Sequence, residues 1–292
     1  MLPLAAWLLK RGRVRAFVQE AAWLAAERGH LTTPEALVSL CLPALAALAA
    51  AGVAAACIAV IDRFADEKPE KIAGSVNILG VTPLDMGREN LDALKAFVEN
   101  SGFALNCCCA TDWTMDALKN IGAAQINLAP TQAGVEIARH LEEKFGTPWL
   151  AGLPVGERGS KELCERMRRC AEGEKVSALP EVRENADALA AGDWIMAASI
   201  CRALRLDFGL KAAPVGLFGK TGIPESACTP DDEESIEAVV GNARLIVSDP
   251  LICALAKSAR RVEIPQYAVS SRLYRERLFI DNKLDLHTPV DT

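Results

Sequence analysis

The amino-acid sequence alternates short apolar segments with helical segments, and this alternation constrains the fold more than any other feature. Each apolar segment has the length of a strand, and most are followed by apolar residues at helical spacing. The predicted strands cover residues 75–81, 103–109, 124–128, 147–150, 211–218, 244–248 and 261–268. Strands that alternate with helices in this way form parallel sheets covered by helices, which predicts an α/β fold of the doubly wound type.

The predicted helices fill the intervals between these strands. They cover residues 87–100, 111–120 with Thr111 or Asp112 as cap, 131–145, a segment capped by Ser160, 193–207, 231–240 and 250–259. Gly102, Gly146 and Gly209 stand just past three of them, where a residue in the left-handed conformation commonly ends a helix. The acidic run 231–234 suits a helix N-terminus, because negative side chains interact favourably with the helix dipole there.

The N-terminal part departs from this pattern and is predicted to be the helical remnant of a further domain. Thr33 and Pro34 form a cap and first-turn pair, and the helix that they start is expected to end at Gly52. No charged residue occurs from Cys41 to Ile61, a stretch long enough to span a bilayer. Much of it is alanine, which contributes little to insertion, so a buried helix running into a buried strand is favoured over a membrane span.

Two polar stretches, 62–74 and 173–185, divide the chain. We predict an N-terminal remnant over 1–70, a Rossmann-like middle domain over 71–175 and a Rossmann-like C-terminal domain over 185–292. The predicted fold class is therefore α/β, with two consecutive doubly wound parallel-sheet domains preceded by the helical remnant.

Composition excludes several classes of protein. The 292 residues include 32 basic and 38 acidic side chains, and the net charge of −6 gives no electrostatic reason to bind nucleic acid or an anionic membrane. The ten cysteines lack the regular spacing of a disulfide framework, and the N-terminal segment reverses the order of a secretory signal. We therefore expect free thiols, a reducing compartment and a cytoplasmic protein.

The common catalytic motifs are absent or incomplete. The sequence GLFGKTG over 216–222 is similar to a phosphate-binding loop, but Pro214 stands in the place of its first glycine and cannot donate a backbone N–H. There is no nucleophile elbow or zinc-protease motif, and the only histidines are His30, His140 and His287. An ordinary turn is favoured over a nucleotide site, and histidine-based acid–base chemistry is not expected.

Three consecutive cysteines close the second predicted strand. Strand alternation places Cys107 and Cys109 on one face and Cys108 on the other, at the carboxyl end where open α/β sheets bind ligands. Two thiolates on one face could ligate iron or an iron–sulfur cluster, although such clusters usually have four protein ligands. The alternative is that these thiols are simply buried as small apolar groups.

Several longer segments resemble one protein family. They are VNILGVTPLD (76–85), AAQINLAPTQAGVEIARHLEEKFGTPW (123–149), LPVGERGS (153–160), AGDWIMAASICRALRLDFGL (191–210), RLIVSDPLICALA (244–256) and VEIPQYAVSSRLYRERL (262–278). In this order they resemble the middle and third domains of nitrogenase component 1-type oxidoreductases. That family includes nitrogenase α and β subunits, cofactor scaffold proteins and tetrapyrrole-reducing relatives. The resemblance covers about residues 70–280, and ARHLEEKFGTPW is its most specific part.

The resemblance implies Rossmann-like domains, a homologous partner subunit in a hetero-oligomer, and electrons from an ATP-dependent iron–sulfur reductase. It also implies an iron–sulfur or other metallocluster, or a tetrapyrrole, between domains. Two ligands of the family lack counterparts. Pro130 stands where the nitrogenase α subunit has a cofactor-ligating cysteine, and Gln266, Tyr267 and Ala268 follow Ile264 and Pro265, where the family has its C-terminal histidine ligand. Most of the N-terminal domain that supplies bridging-cluster cysteines has no match either, so nitrogenase activity itself is not carried over.

Four loops, 82–85, 107–112, 129–132 and 153–159, are expected to line the cleft between the domains. From them we predict cofactor-binding residues at Thr82, Asp112, Pro130, Thr131, Gln132 and Gly156, and metal ligands at Cys107 and Cys109. The predicted function is a nitrogenase component 1-like oxidoreductase subunit that holds a metallocluster or a tetrapyrrole. The alternative is a noncatalytic scaffold or pairing subunit of the same family that has lost its metal ligands.

Overall fold

The described residues of the chain form two four-stranded sheets, and all of the hydrogen-bonded strand pairs in these sheets are parallel. Helices alternate with the strands in both, which confirms the predicted α/β class with two consecutive parallel-sheet units. The computed structural model describes residues 50–181, 186–230, 232–270, 277–281 and 283–286. Most of the predicted N-terminal remnant, 1–49, lies outside these residues.

The first unit follows a helix over 50–64, which we name α1. Its strands are β1 (Ile72–Ile78), β2 (Ala104–Cys108), β3 (Ala124–Ala129) and β4 (Trp149–Ala151). Its helices are α2 (Arg88–Asn100), α3 (Met115–Lys119), α4 (Gln132–Phe145) and α5 (Glu157–Ala171), with a 3-10 turn at Ile121–Ala123. The strand order in its sheet is β2-β1-β3-β4.

The second unit repeats this arrangement. Its strands are β5 (Ala188–Gly192), β6 (Ala212–Gly216), β7 (Leu245–Ser248) and β8 (Arg260–Glu263). Its helices are α6 (Trp194–Phe208), α7 (Glu233–Val240), α8 (Pro250–Leu255) and α9 (Tyr267–Ser270). The order β6-β5-β7-β8 is the counterpart of the order in the first sheet.

Each sheet therefore has a point where the direction of strand addition reverses. In the first sheet the chain adds β2 on one side of β1 and then β3 on the other side, and in the second sheet β6 and β7 flank β5 in the same way. The crevice outside the carboxyl ends of strands at such a switch point is where open α/β sheets bind ligands. The loops after β1, β3, β5 and β7 are thus the first places to look for function.

Several predicted strands need correction. The sequence does not predict β5, because ALAAG is made of small residues rather than the branched and aromatic residues that favour strands. The strand predicted over 261–268 ends at Glu263, and residues 267–270 are helical. The strand expected before Ile61 does not exist in the described part of that segment, where α1 is a continuous helix.

Helix ends follow the predictions in part. Gly146 and Gly209 end α4 and α6 in the left-handed conformation, as expected. Gly52, however, lies inside α1, and Ser160 lies one turn inside α5 rather than at its cap. Helix α3 begins later than predicted, because the Thr114 side chain accepts the capping hydrogen bond from Ala117.

Within the described residues, no helix is long and apolar enough to cross a membrane. Residues 41–49 of the uncharged N-terminal stretch lie outside them. The remainder, 50–61, belongs to α1, which packs Ala54, Cys57 and Ile61 into the buried cluster on one face of the first sheet. Helix α1 therefore covers one face of the first sheet, as helices do in α/β proteins.

The two units share a hydrophobic core. A single cluster of buried apolar residues contains side chains of both sheets, among them Val76 of β1 and Val247 of β7. Helices α5 and α6 pack closely, and the backbone N–H of Leu153 donates to the Ser199 hydroxyl at 2.9 Å across the junction. The loops at the carboxyl ends of both sheets are thereby brought into contact.

Candidate functional site

The switch points of the two sheets meet through one glutamine and one aspartate. Gln132 begins α4 directly after the β3 loop, and Asp193 caps α6 directly after β5. The backbone N–H of Gln132 donates to Oδ2 of Asp193 at 2.8 Å, and the backbone N–H of Trp194 donates to Oε1 of Gln132 at 2.9 Å. Gln132 is 0% and Asp193 1% exposed. The loops 82–85, 129–132 and 192–194 around this contact form what we call the interdomain site.

The GLFGKTG segment belongs to this contact. The carboxamide Nε2 of Gln132 donates to the carbonyl oxygens of Gly219 at 3.1 Å and Thr221 at 2.9 Å. At Gly222, whose φ is +74°, an added Cβ would lie 2.5 Å from the Gln132 carbonyl oxygen. No helix begins in the described residues that follow until Glu233, so the segment is a turn, as expected, rather than a phosphate-binding loop.

Three further predicted residues lie at the same place. The Thr131 hydroxyl donates to the Gly80 carbonyl oxygen at 2.9 Å and accepts from the Gly134 N–H at 3.1 Å, which ties the β1 loop to the start of α4. Pro130 is buried beside it, and Thr82 follows β1 at the neighbouring strand end. The structure therefore brings Thr82, Pro130, Thr131 and Gln132 together.

A pair of aspartates lies within the interdomain site, and sequence reasoning assigns neither a binding role. Asp85 accepts hydrogen bonds at Oδ2 from the N–H of Thr82 at 2.8 Å and from its hydroxyl at 2.7 Å. Burial raises the pKa of Asp85 to about 6 against these bonds. Burial, and then the charge of Asp85, raise the pKa of Asp193 to about 7 although three backbone N–H groups stabilise its carboxylate. Both carboxyl groups therefore titrate near neutral pH.

Another buried aspartate lies at the switch point of the second sheet, which we call the second switch point. Asp249 follows β7, and its Oδ2 accepts from the Gln266 N–H at 2.8 Å and from the Ser270 hydroxyl at 2.6 Å. The Gln266 carboxamide lies over Gly192, where an added Cβ would be 2.5 Å from Nε2. The Oε1 atom of Gln266 and the indole Nε1 of Trp194 are buried with no hydrogen-bond partner in the described part of the chain. These polar atoms are candidates to meet a ligand.

Asp112 and Gly156 already have partners of their own. Asp112 pairs with Lys95 and, at 3.2 Å, with Arg88, and the hydrogen bond from Lys95 is the main cause that lowers its pKa. Gly156 precedes α5. The side chain of Asp207 caps the N-terminus of that helix by accepting a hydrogen bond from the Arg158 N–H at 2.9 Å. An anion could bind this helix end only by displacing the Asp207 carboxylate.

Replacing Gly156 with alanine is expected to destabilise the protein by about 2–3 kcal/mol in denaturant unfolding. Its φ is +70°, and the new Cβ would overlap Asp207 and lie 2.9 Å from the Ala203 Cβ. Gly173→Ala is the control, since its φ of +82° carries the same backbone strain but nothing lies within 4 Å. Equal losses in the two variants would show that Asp207 does not occupy the end of α5.

Comparison with known proteins identifies the family. A family model described as nitrogenase component 1 type oxidoreductase matches residues 27–202, which is more than half of the chain. The chain belongs to this family. The solved structure described as "Nitrogenase Cp1 at pH 6.5" superimposes on it with a TM-score of 0.51 at 14% identity, covering 80% of this chain and 62% of that one. At that identity the superposition supports the fold alone.

Curated relatives of the nitrogenase component 1-type family match shorter parts of the chain. A subunit of the light-independent protochlorophyllide reductase of Chloroflexus aggregans is 31% identical over 111 residues, 37% of this chain and 20% of the relative. The subunit of the same name from Prosthecochloris aestuarii is 37% identical over 84 residues, 28% of this chain and 16% of the relative. The matched segments thus span no more than about a fifth of these relatives.

The cysteine run has the predicted alternation. Cys107 and Cys109 face the buried cluster that contains Cys57 of α1, whereas Cys108 faces the cluster on the other side of the sheet. Burial raises the pKa of Cys107 to about 12, and Cys57 together with burial raises the pKa of Cys109 far above its ordinary value. All three thiols are 2% exposed or less, so they lie in packed core beside the sheet.

This environment does not fit a metallocluster held by the described residues alone. Thiolates ligate metals, and burial here disfavours the thiolate form of both Cys107 and Cys109. No group of three or more histidine, cysteine, aspartate or glutamate side chains in the described ranges is arranged to hold a metal ion. The predicted ligand pair therefore falls short of the four ligands that such clusters usually take. Its role as a ligand pair remains a prediction.

Proposed function

We propose that this chain is an oxidoreductase subunit of the nitrogenase component 1 type that holds a tetrapyrrole at the interdomain site. The observation that carries the proposal is the meeting of two switch points, joined by the buried hydrogen bonds between Gln132 and Asp193. Ligands of open α/β sheets bind at such points, and here two of them share one location.

A tetrapyrrole fits the described residues better than a metallocluster. It needs no set of thiolate ligands, and the relatives at 31% and 37% identity bear the name of a protochlorophyllide reductase subunit. The unpartnered Oε1 of Gln266 and Nε1–H of Trp194 offer an acceptor and a donor at the second switch point. Polar groups of a tetrapyrrole edge would satisfy both, while its apolar body would replace packing between the units.

The partners in this proposal follow from the family. An ATP-dependent iron–sulfur reductase would deliver electrons, and a homologous subunit would complete a hetero-oligomer. The matched relatives are themselves named as subunits, which supports an assembly of more than one kind of chain. Asp85, with its pKa near neutrality, would be able to exchange protons at the site during reduction.

A noncatalytic scaffold or pairing subunit is the second candidate. One observation favours it: the chain's own groups fill the interdomain site, since Gln132 makes four hydrogen bonds to residues of the second unit and is fully buried. In that role the two units would form one rigid body that presents its surface to a catalytic relative, with no ligand between them.

Purification without oxygen, followed by a visible absorption spectrum and metal analysis, distinguishes these functions. The proposal predicts that the chain, mixed with protochlorophyllide, retains the pigment through gel filtration and shifts its absorption bands. A colourless protein that retains neither pigment nor iron would favour the scaffold.

The ligand role predicted for Cys107 and Cys109 has its own test. If they ligate a cluster, changing both to serine should abolish bound iron, because serine oxygen is a poor ligand for iron–sulfur clusters. Changing Cys108 to serine is the control, since its side chain faces the opposite cluster. Iron content that is absent in the wild type, or unchanged in the double variant, would show that these thiols only pack the core.

A further inference from the structure

A cavity outside the interdomain site lies between helices α2 and α5. Its volume is 390 Å³, and its walls come from these two helices, from Lys283 and from residues 277–281, which we call the strap. Pockets for small molecules commonly measure about 300–1,000 Å³. We propose that this cavity binds a small, uncharged, apolar molecule that carries one hydrogen-bonding group. The lining residues are not those of the interdomain site, so the proposal does not depend on what that site binds.

The walls of the cavity are mostly apolar. The apolar lining residues are Ala93, Ala96, Phe97, Cys164, Leu278 and Ile280. Phe97 and Ile280 are buried and form part of the core, whereas Cys164 is half-buried and within reach of a molecule in the cavity. An apolar ligand would remove such a surface from water, which favours binding.

The strap closes one side of the cavity and is fixed by hydrogen bonds to both neighbouring elements. The side-chain amide of Asn90, in α2, donates to the Arg277 carbonyl oxygen at 2.9 Å and accepts from the Phe279 N–H at 3.0 Å. The Gly156 N–H, just before α5, donates to the Asp281 carbonyl oxygen at 2.8 Å. The cavity is therefore formed before any ligand binds, as most small-molecule sites are.

One buried hydroxyl at the cavity lacks a hydrogen bond. Ser160, one turn inside α5, lines the cavity and is 5% exposed. Its Oγ atom has no hydrogen-bond partner in the described part of the chain. Leaving a buried polar atom without a partner costs free energy, so this hydroxyl favours a ligand with one group that donates to it or accepts from it.

The charges around the cavity balance. Two lining residues, Glu157 and Asp281, are acidic, and two, Lys161 and Lys283, are basic. All four are exposed, and Nζ of Lys161 lies 2.6 Å from Oε1 of Glu157. A ligand with a net charge would meet no excess of the opposite sign to offset the loss of its hydration. The balance therefore favours an uncharged molecule over an ion.

Two fluorescent probes with the same aromatic skeleton test this preference on the full chain. N-phenylnaphthylamine is uncharged, apolar and carries one N–H group, whereas anilinonaphthalene sulfonate adds an anionic group to that skeleton. We expect the uncharged probe to bind, and the anionic probe to bind at least about tenfold more weakly, in fluorescence titrations. An uncharged probe that does not bind, or an anionic probe that binds equally or more tightly, would overturn the proposal.

A substitution at the cavity wall locates the bound probe. Ala96→Phe adds a large side chain at an exposed position of α2 that lines the cavity, and should weaken binding of N-phenylnaphthylamine at least about tenfold. Ala238→Phe, at an exposed position of α7, is the matched control and should leave the affinity unchanged. Equal affinities in the two variants would place the probe elsewhere and overturn the proposal. A dimer that only Ala96→Phe abolishes would also overturn it, because a second copy would then cover this face.

Ser160→Ala tests the hydrogen bond separately from the packing. The hydroxyl makes no hydrogen bond in the described part of the chain, so its removal should leave the free energy of unfolding unchanged or raised. The same variant should bind N-phenylnaphthylamine about three- to tenfold more weakly than the wild type does. An affinity equal to that of the wild type would contradict the assigned role of Ser160.

Discussion

Replacing Gly134 with alanine is expected to remove at least about 4 kcal/mol from the free energy of unfolding. Gly134 is the third residue of α4, and an added Cβ would overlap the Leu79 carbonyl oxygen and lie 3.3 Å from the Ala129 Cα. Both neighbours are backbone atoms, which cannot move aside without shifting β1, β3 or the helix. The N-terminus of α4, and with it Gln132, would lose its position.

Gly159→Ala is a closely matched control for this substitution. Gly159 is also the third residue of its helix, α5, and is also buried, but the nearest atoms to an added Cβ lie 3.9 Å away on Ala203. Alanine favours helix over glycine, so this variant should keep or gain stability by about 0.5–1 kcal/mol. Urea unfolding followed by circular dichroism measures both, and similar stabilities for the two variants would show that α4 does not approach β1 so closely.

The second large effect is expected from Gln132→Leu. Leucine preserves side-chain size but removes the acceptor for the Trp194 N–H and the donor to the carbonyl oxygens of the loop after β6. Buried polar groups left without partners each cost about 1–3 kcal/mol, so a loss of about 3 kcal/mol is expected. Unfolding should also become less cooperative, because the two units lose their main polar connection.

Gln125→Leu is the control for that variant. Gln125 also bonds through both ends of its carboxamide, accepting from the Gly74 N–H and donating to the Ala171 carbonyl oxygen. It is partly exposed and lies within the first unit, so water can replace its bonds and the loss should be about 1 kcal/mol. If both variants unfold with the same stability and cooperativity, Gln132 does not join the units.

The arrangement of elements could be predicted because it depends on local patterns. Apolar runs and glycine stops such as Gly146 and Gly209 are encoded within a few residues, and the structure places most of them as expected. The strand β5 was not predictable from its own residues. Ala188–Gly192 becomes a central strand only because β6 and β7 bind on both sides of it. Tertiary context overrides propensity there.

Only part of the interdomain site was predictable. The resemblance and the position after strands point to Thr82, Thr131 and Gln132, which the structure does bring together. The sequence predicts Asp193 only as the first residue of a helix, and nothing local shows that its Oδ2 atom accepts a hydrogen bond from the other unit. Asp207 is still harder to find, because it caps a helix that begins some fifty residues earlier in the chain. Contacts between distant segments leave no pattern in a single sequence.

We expect the ligand to bind where the switch points of the two sheets meet. Hydrogen–deuterium exchange of the anaerobically purified protein, with and without protochlorophyllide, tests it most directly. The pigment is expected to slow exchange in the peptides covering 79–87, 129–135 and 191–197, and to leave α7 at Glu233–Val240 unchanged. Absence of any change in those three peptides while the pigment is bound, or protection confined to other parts of the chain, would contradict it.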